Sequence, residues 1–183
     1  MNRRLGEPFP EIRIWSAGCS NGQEAYSIAI TLSEYMRQKK MIMQYSILAS
    51  DISARMLKTA AEAIYPIAST DEIPNDIKHP YLLKSKDEKI PKVTTIKYLR
   101  EKVKPAYLNL MDQDYGLSKT FDVIFLRNTL IYFSPEVQQH VLLKVLRQLK
   151  PGGHLFIGHS ESIINMSLSL QSVAPSVYMK INT

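Results

Sequence analysis

Two hydrophobic periods take turns along this chain. Ile12-Arg13-Ile14-Trp15-Ser16-Ala17 is a short apolar run that predicts a buried strand, and it enters a loop of turn formers, Gly18-Cys19-Ser20-Asn21-Gly22. From Ala25 the apolar positions change to helical spacing at Ile28, Ala29, Leu32 and Met36, and the pattern stops in Gln38-Lys39-Lys40. Tyr45 to Ser50 predicts a second strand ending on Asp51. Ser53 then caps a helix whose expected buried face is Met56, Leu57, Ala60, Ala61 and Ile64.

Between Tyr65 and Lys104 the alternation breaks. Prolines at 66, 74, 80 and 91 interrupt it, and short β-like pieces such as Val93 to Ile96 occur without a strong helix, so residues 65–104 read as an inserted β-subdomain. Alternation returns with Ala106 to Leu110, a predicted strand, and with Phe121 to Leu126, a continuous apolar run typical of a central parallel strand. Ser134 and Pro135 open a helix with Val137, Val141, Leu142, Val145, Leu146 and Leu149 on one face, ended by Pro151-Gly152-Gly153. His154 to Gly158 predicts a strand, and Leu168 to Val173 with Ser176 to Ile181 predict a terminal hairpin around Pro175. The fold class is α/β, a mostly parallel sheet with helices on both faces, and ligands of such sheets bind beyond the carboxyl ends of the strands.

Composition adds limits to this picture. With 183 residues and 45% apolar side chains the chain fits one compact domain. No apolar run nears the roughly 20 residues a membrane span needs, and no secretory signal core follows the first arginines, so a cytoplasmic protein without membrane insertion is expected. The single cysteine, Cys19, excludes an intramolecular disulfide and a cysteine-based zinc site, and no metal is implied. The net charge of +6 is concentrated in Lys84 to Lys104, where eight basic residues face three acidic ones. With few aromatics interleaved, this stretch reads as a solvated face rather than a nucleic-acid platform.

The residues at the predicted strand ends carry the candidate chemistry. Gly18 and Gly22 allow a tight turn and close approach of a ligand to a helix N-terminus, or serve the turn alone. Asp51 can accept hydrogen bonds from two ribose hydroxyls, or cap the following helix. Glu24 sits where a dinucleotide pyrophosphate would bind and would repel it, which disfavours a nicotinamide oxidoreductase; it suits a ligand bearing an ammonium group, or is a surface charge favourable at a helix N-terminus. Arg127, Asn128 and Tyr132 follow the most buried strand and face the cleft, although Asn128 could cap a turn and Tyr132 could be core.

In order along nearly the whole chain, Trp15 to Ser27 (WSAGCSNGQEAYS), Ala49 to Ile52 (ASDI), Asn109-Leu110, Leu126 to Phe133 (LRNTLIYF), Leu149 to Gly153 (LKPGG) and Gly158 to Glu161 (GHSE) resemble the successive motifs of CheR-type chemotaxis receptor methyltransferases. The resemblance implies a Rossmann-like fold and transfer of a methyl group from S-adenosylmethionine to glutamate side chains of chemotaxis receptors, leaving S-adenosylhomocysteine. It implies that Gly18, Glu24 and Asp51 hold the cofactor, with Asp51 on the ribose. Asn109, Leu110, Leu126 and Arg127 then line the rest of the pocket, and Tyr132, with Arg127, faces the reacting groups. His159 is read as structural. Asn21, Gln23 and Ala25 depart from the more usual Thr or Ser, Glu and Pro of the glycine-loop motif. Members usually carry an N-terminal helical domain over the cofactor that supplies an active-site arginine; only eleven residues precede the first strand here, so a catalytic domain without that part is expected. The competing expectation is a shortened sensor or scaffold module that binds the cofactor without turnover.

Overall fold

The computed structural model describes residues 11–87, 89–161, 163, 166 and 168–181; the N-terminal ten residues and Glu88, on which the sequence reading drew, lie outside them. Strand β1 (Ile12–Ala17) leads through the glycine loop into helix α1 (Gln23–Lys39), and β2 (Tyr45–Asp51) into α2 (Ala54–Glu62). Gly22 caps α1 at a left-handed φ of 86°, and a side chain there would press within 2.7 Å of Ala60 Cβ, so only glycine fits. Ser53 caps α2 by accepting from the Met56 amide at 3.4 Å.

Next come β3 (Ile64–Pro66), α3 (Asn75–Tyr81), β4 (Leu82–Lys84), β5 (Lys92–Thr95) and α4 (Lys97–Lys102). The three strands form their own antiparallel sheet in the order β3-β5-β4. The remaining elements are β6 (Val103–Tyr107), β7 (Phe121–Leu126), α5 (Pro135–Gln148), β8 (Leu149–Ile157), β9 (Leu170–Ala174) and β10 (Val177–Lys180). The main sheet runs β6-β2-β1-β7-β8-β10-β9, with the first five strands parallel and β10 antiparallel to both neighbours. Among the described residues, no helix is long and apolar enough to cross a membrane.

Period-2 alternation sends each central strand into two cores. Trp15, Ala17, Ile124, Leu126, Leu155 and Ile157 pack with Val141, Leu142 and Val145 of α5 on one face. Ile14, Tyr45, Ile47 and Ala49 pack with Ala25, Ala29 and Ile30 of α1 and with Leu99 of α4 on the other. Trp15 is wholly buried and donates its indole N–H to Ser50 Oγ at 2.8 Å, which removes the cost of dehydrating that group.

Four local expectations differ from the structure. Ala61 and Ile64 are exposed, because α2 stops at Glu62 and Ile64 enters β3; Ala60 carries the buried contact. The strand expected at 106–110 is the ladder 103–107 with Lys104 and Pro105 inside it, tolerable because β6 is an edge strand. Two short helices, α3 and α4, form where none was expected, held by burial of Tyr81 and Leu99 rather than by their own propensity. Leu149 belongs to β8 and pairs with Phe121, not to the helix.

Candidate cofactor-binding site

Strand order reverses between β1 and β7, since β1 continues through α1 to β2 on one side while β7 continues to β8 on the other. The crevice of such a sheet opens at the carboxyl ends of those two strands. Gly18, Glu24, Asp51 and Arg127, which are distant in sequence, meet there.

Gly18 leaves β1 at φ 75°, and a Cβ on it would overlap Thr129 Oγ1. Its amide and that of Cys19 both donate to Ser50 O, at 2.8 and 2.9 Å, so the loop folds back over the end of β2. Asp51 secures the same loop: Oδ2 accepts from the Ser20 amide and Oδ1 from the Ser53 amide, each at 2.8 Å. A carboxylate offers about four lone-pair positions, so two remain for a ligand. Thus Asp51 both caps the turn toward α2 and keeps acceptors for a diol.

Glu24 is not a free surface charge. Its Oε1 accepts from the buried Ser16 hydroxyl at 2.7 Å, and Oε2 lies 3.4 Å from an Arg127 guanidinium nitrogen. Burial raises its pKa above the ordinary carboxylate value; the Ser16 hydrogen bond and Arg127 pull it back down. The pair presents a carboxylate and a guanidinium side by side, complementary to the two ends of an amino acid. Cys19, buried beside them, has its thiol pushed up to about 12 by burial and by the charges of Asp51 and Glu24, so it stays protonated and inert.

The other expected residues are placed less directly. Asn109 follows β6 with its side chain turned to its own loop, Oδ1 accepting from the Met111 amide at 2.9 Å. Leu110 and Leu126 are buried in the core, packed in the cluster that holds Trp15 and Ala17 of β1. Leu110 O accepts from Tyr115 and Lys144. Tyr132 ends a 3-10 turn (Leu130–Tyr132) and is 80% exposed, outside the core. Ile52, Tyr107, Met111 and Ile131, at or just after the carboxyl ends of β2, β6 and β7, are exposed as well. His159 is exposed.

Sequence reasoning missed three contributors. Ser16 holds Glu24, Thr129 fills the space under Gly18, and Glu161 accepts from backbone amides that follow β7 and β8. Ser16 had a weak signal, a polar residue in an apolar strand; Thr129 and Glu161 stood inside motifs that carry the family resemblance, but their roles were not legible because their partners lie far along the chain.

The residues present fit S-adenosylmethionine. The Asp51 acceptors suit a ribose, the Glu24–Arg127 pair an amino acid, and the glycine cradle close approach, while a carboxylate at the start of α1 would repel a pyrophosphate.

Comparison with known proteins agrees. Residues 2–179 match the family model "CheR methyltransferase, SAM binding domain". A chemotaxis protein methyltransferase of Borreliella burgdorferi is 42% identical over 96% of this chain and 61% of its own length. Chemotaxis protein methyltransferase 2 of Pseudomonas aeruginosa is 35% identical over 96% of the chain and 62% of its own length. The chain therefore spans about three fifths of these curated relatives. Among solved structures, the DszA carbon methyltransferase superposes with a TM-score of 0.50 at 18% identity, covering 85% of this chain and 29% of that one, a likeness of fold. By sequence across almost its whole length, the chain belongs to the CheR methyltransferase SAM-binding domain family, whose cofactor is S-adenosylmethionine.

Proposed function

We propose that this chain is the catalytic domain of a cytoplasmic chemotaxis methyltransferase, with residues 65–104 as an inserted subdomain, and that it esterifies glutamate side chains of receptors. The observation that carries the reading is the Ser16–Glu24–Arg127 cluster beside Asp51 at the β1–β7 switch point. Bound S-adenosylmethionine supplies a methyl group on a cationic sulfur, which a carboxylate oxygen takes up as S-adenosylhomocysteine leaves. Asp51 accepts from the ribose hydroxyls. Glu24 attracts the ammonium group; the Ser16 hydrogen bond and then Arg127 favour its charged form against the effect of burial, and Arg127 offers N–H groups to the cofactor carboxylate. No general base is needed, since an acceptor glutamate with a pKa of about 4.3 is already ionised at neutral pH. Alignment and exclusion of water are the protein's contribution, and Tyr132 meets the incoming chain in this reading, which its exposure after β7 supports.

The exposure of Tyr132 also favours a second reading, a module that binds cofactor without turnover by itself. Calorimetric titration with S-adenosylhomocysteine tests the first step: micromolar binding is expected, with a loss of at least tenfold in Asp51→Ala. Tighter binding of NADH would overturn the assignment. Transfer of labelled methyl groups to receptor fragments then separates enzyme from sensor.

A further inference from the structure

Glu161 stands 31 residues beyond Leu130, on the loop that follows β8, yet its carboxylate organises the turn that follows β7. Oε1 accepts from the backbone amides of Thr129 at 2.9 Å, Leu130 at 2.7 Å and Ile131 at 3.3 Å. Oε2 accepts from Asn128 at 3.1 Å and Gly158 at 2.6 Å. Four consecutive N–H groups thus converge on one anion, a geometry that requires a left-handed residue, and Asn128 has φ 54°. The turn is an anion-binding concavity filled by the chain's own side chain. Gly158 makes room for it, because a Cβ there would come within 2.8 Å of Glu161 Oε2 and 3.0 Å of the Asn128 amide.

We infer that Glu161 is a positioning residue for the cofactor site: it locks residues 128–131 to the end of β8 and so fixes both Arg127, which reaches Glu24, and the exposed Tyr132 that follows. The inference rests on the proposed cofactor reading. The physical reason is that residues 128–131 have few backbone partners of their own. Among the described residues the carboxylate is the acceptor for the Asn128, Thr129, Leu130 and Ile131 amides, and without it these N–H groups turn to water and the segment samples other conformations. Arg127 then no longer returns to Glu24 in a single geometry.

The test uses the full chain and the variants Glu161→Gln, which keeps the shape but turns one acceptor into a donor, and Gly158→Ala, which pushes the carboxylate aside without removing its charge. Leu142→Ala is the control, a core truncation in α5, in the same apolar cluster as Leu130, that lowers stability but leaves every donor and acceptor of the Glu161 hydrogen bonds in place. Two readouts are taken: amide hydrogen exchange at 128–131 and calorimetric affinity for S-adenosylhomocysteine. At least tenfold faster exchange at those amides, with β7 unchanged, and at least tenfold weaker binding are expected in Glu161→Gln or, should that variant not fold, in Gly158→Ala. Leu142→Ala should bind within about twofold of the unaltered chain. Unchanged exchange at 128–131, or equal loss of binding in Leu142→Ala, overturns the inference. If the unaltered chain fails to bind S-adenosylhomocysteine, the cofactor reading falls, and the exchange at 128–131 still decides whether Glu161 orders the turn.

Discussion

Glu24 answers two opposing demands, and they can be separated by mutation. Folding draws its carboxylate into a partly buried place that raises its pKa from 4.5, so the protonated form is favoured relative to the unfolded chain. As pH rises from that value through the raised one, the unfolded state loses its proton first and stability falls. Glu24→Gln should therefore melt no lower than the unaltered chain at pH 7.5, while its affinity for S-adenosylhomocysteine drops at least tenfold. A melting point well below that of the unaltered chain would show that the Ser16 and Arg127 contacts outweigh the burial. The position of Glu24 was legible from its spacing after the glycine loop. Its partners were not: Ser16 stands out only as a polar residue in an apolar strand, and Arg127 lies 103 residues away.

At the scale of elements, the passage from α5 into β8 shows how a local motif serves a long-range fit. Pro151-Gly152-Gly153 is visible as a helix stop, but the two glycines do different things. Gly152 has φ 73° with open space around it, whereas a Cβ on Gly153 would lie 2.8 Å from Lys150 O and 2.9 Å from Asp122 O, where β7 and β8 shift register. Gly152→Ala should cost about 1–2 kcal/mol, for the left-handed backbone alone. Gly153→Ala should cost about 1–3 kcal/mol or more, because main chain cannot step aside as a side chain can. Urea unfolding of both variants checks the order; a larger loss at Gly152 would mean that the register shift relaxes easily. The boundaries of β6 and β8 were misjudged for a related reason. Pairing partners, not side-chain type, set where a ladder begins.

Across the whole molecule, the inserted region is tied to the main body by buried and half-buried polar contacts. Tyr65 in β3 donates to Asn21 O of the glycine loop at 2.8 Å, and Tyr81 at the end of α3 donates to Glu34 of α1 at 3.1 Å. Hydrogen bonds from Arg37, and then from Gln38, hold the Glu34 carboxyl at about 2, with Tyr81 adding to them against the opposing effect of burial. A carboxylate with a depressed folded pKa contributes stability that is fully present above its unfolded value of about 4.5 and is lost as pH falls toward 2. Melting temperature should accordingly fall between pH 5 and pH 2, and the fall should be shallower in Glu34→Gln, which starts from a lower neutral-pH value. Parallel curves for the two proteins would remove Glu34 from the acid response.

The sequence by itself determined the class of fold and the places where chemistry gathers. Periods of 2 and 3.6 are local properties, and they set which segments are strands, which faces are buried and which residues, Gly18, Asp51 and Arg127 among them, fall at carboxyl ends. Tertiary structure alone decided who touches whom: Glu24 with Arg127, Tyr65 with the glycine loop, Tyr81 with Glu34, and Glu161 with the amides of 128–131. Those pairings join groups tens of residues apart whose partners carry no periodic mark, because a backbone amide offers the same donor whatever its side chain. They exist only once strand order has brought the ends of β1, β2, β7 and β8 to one edge.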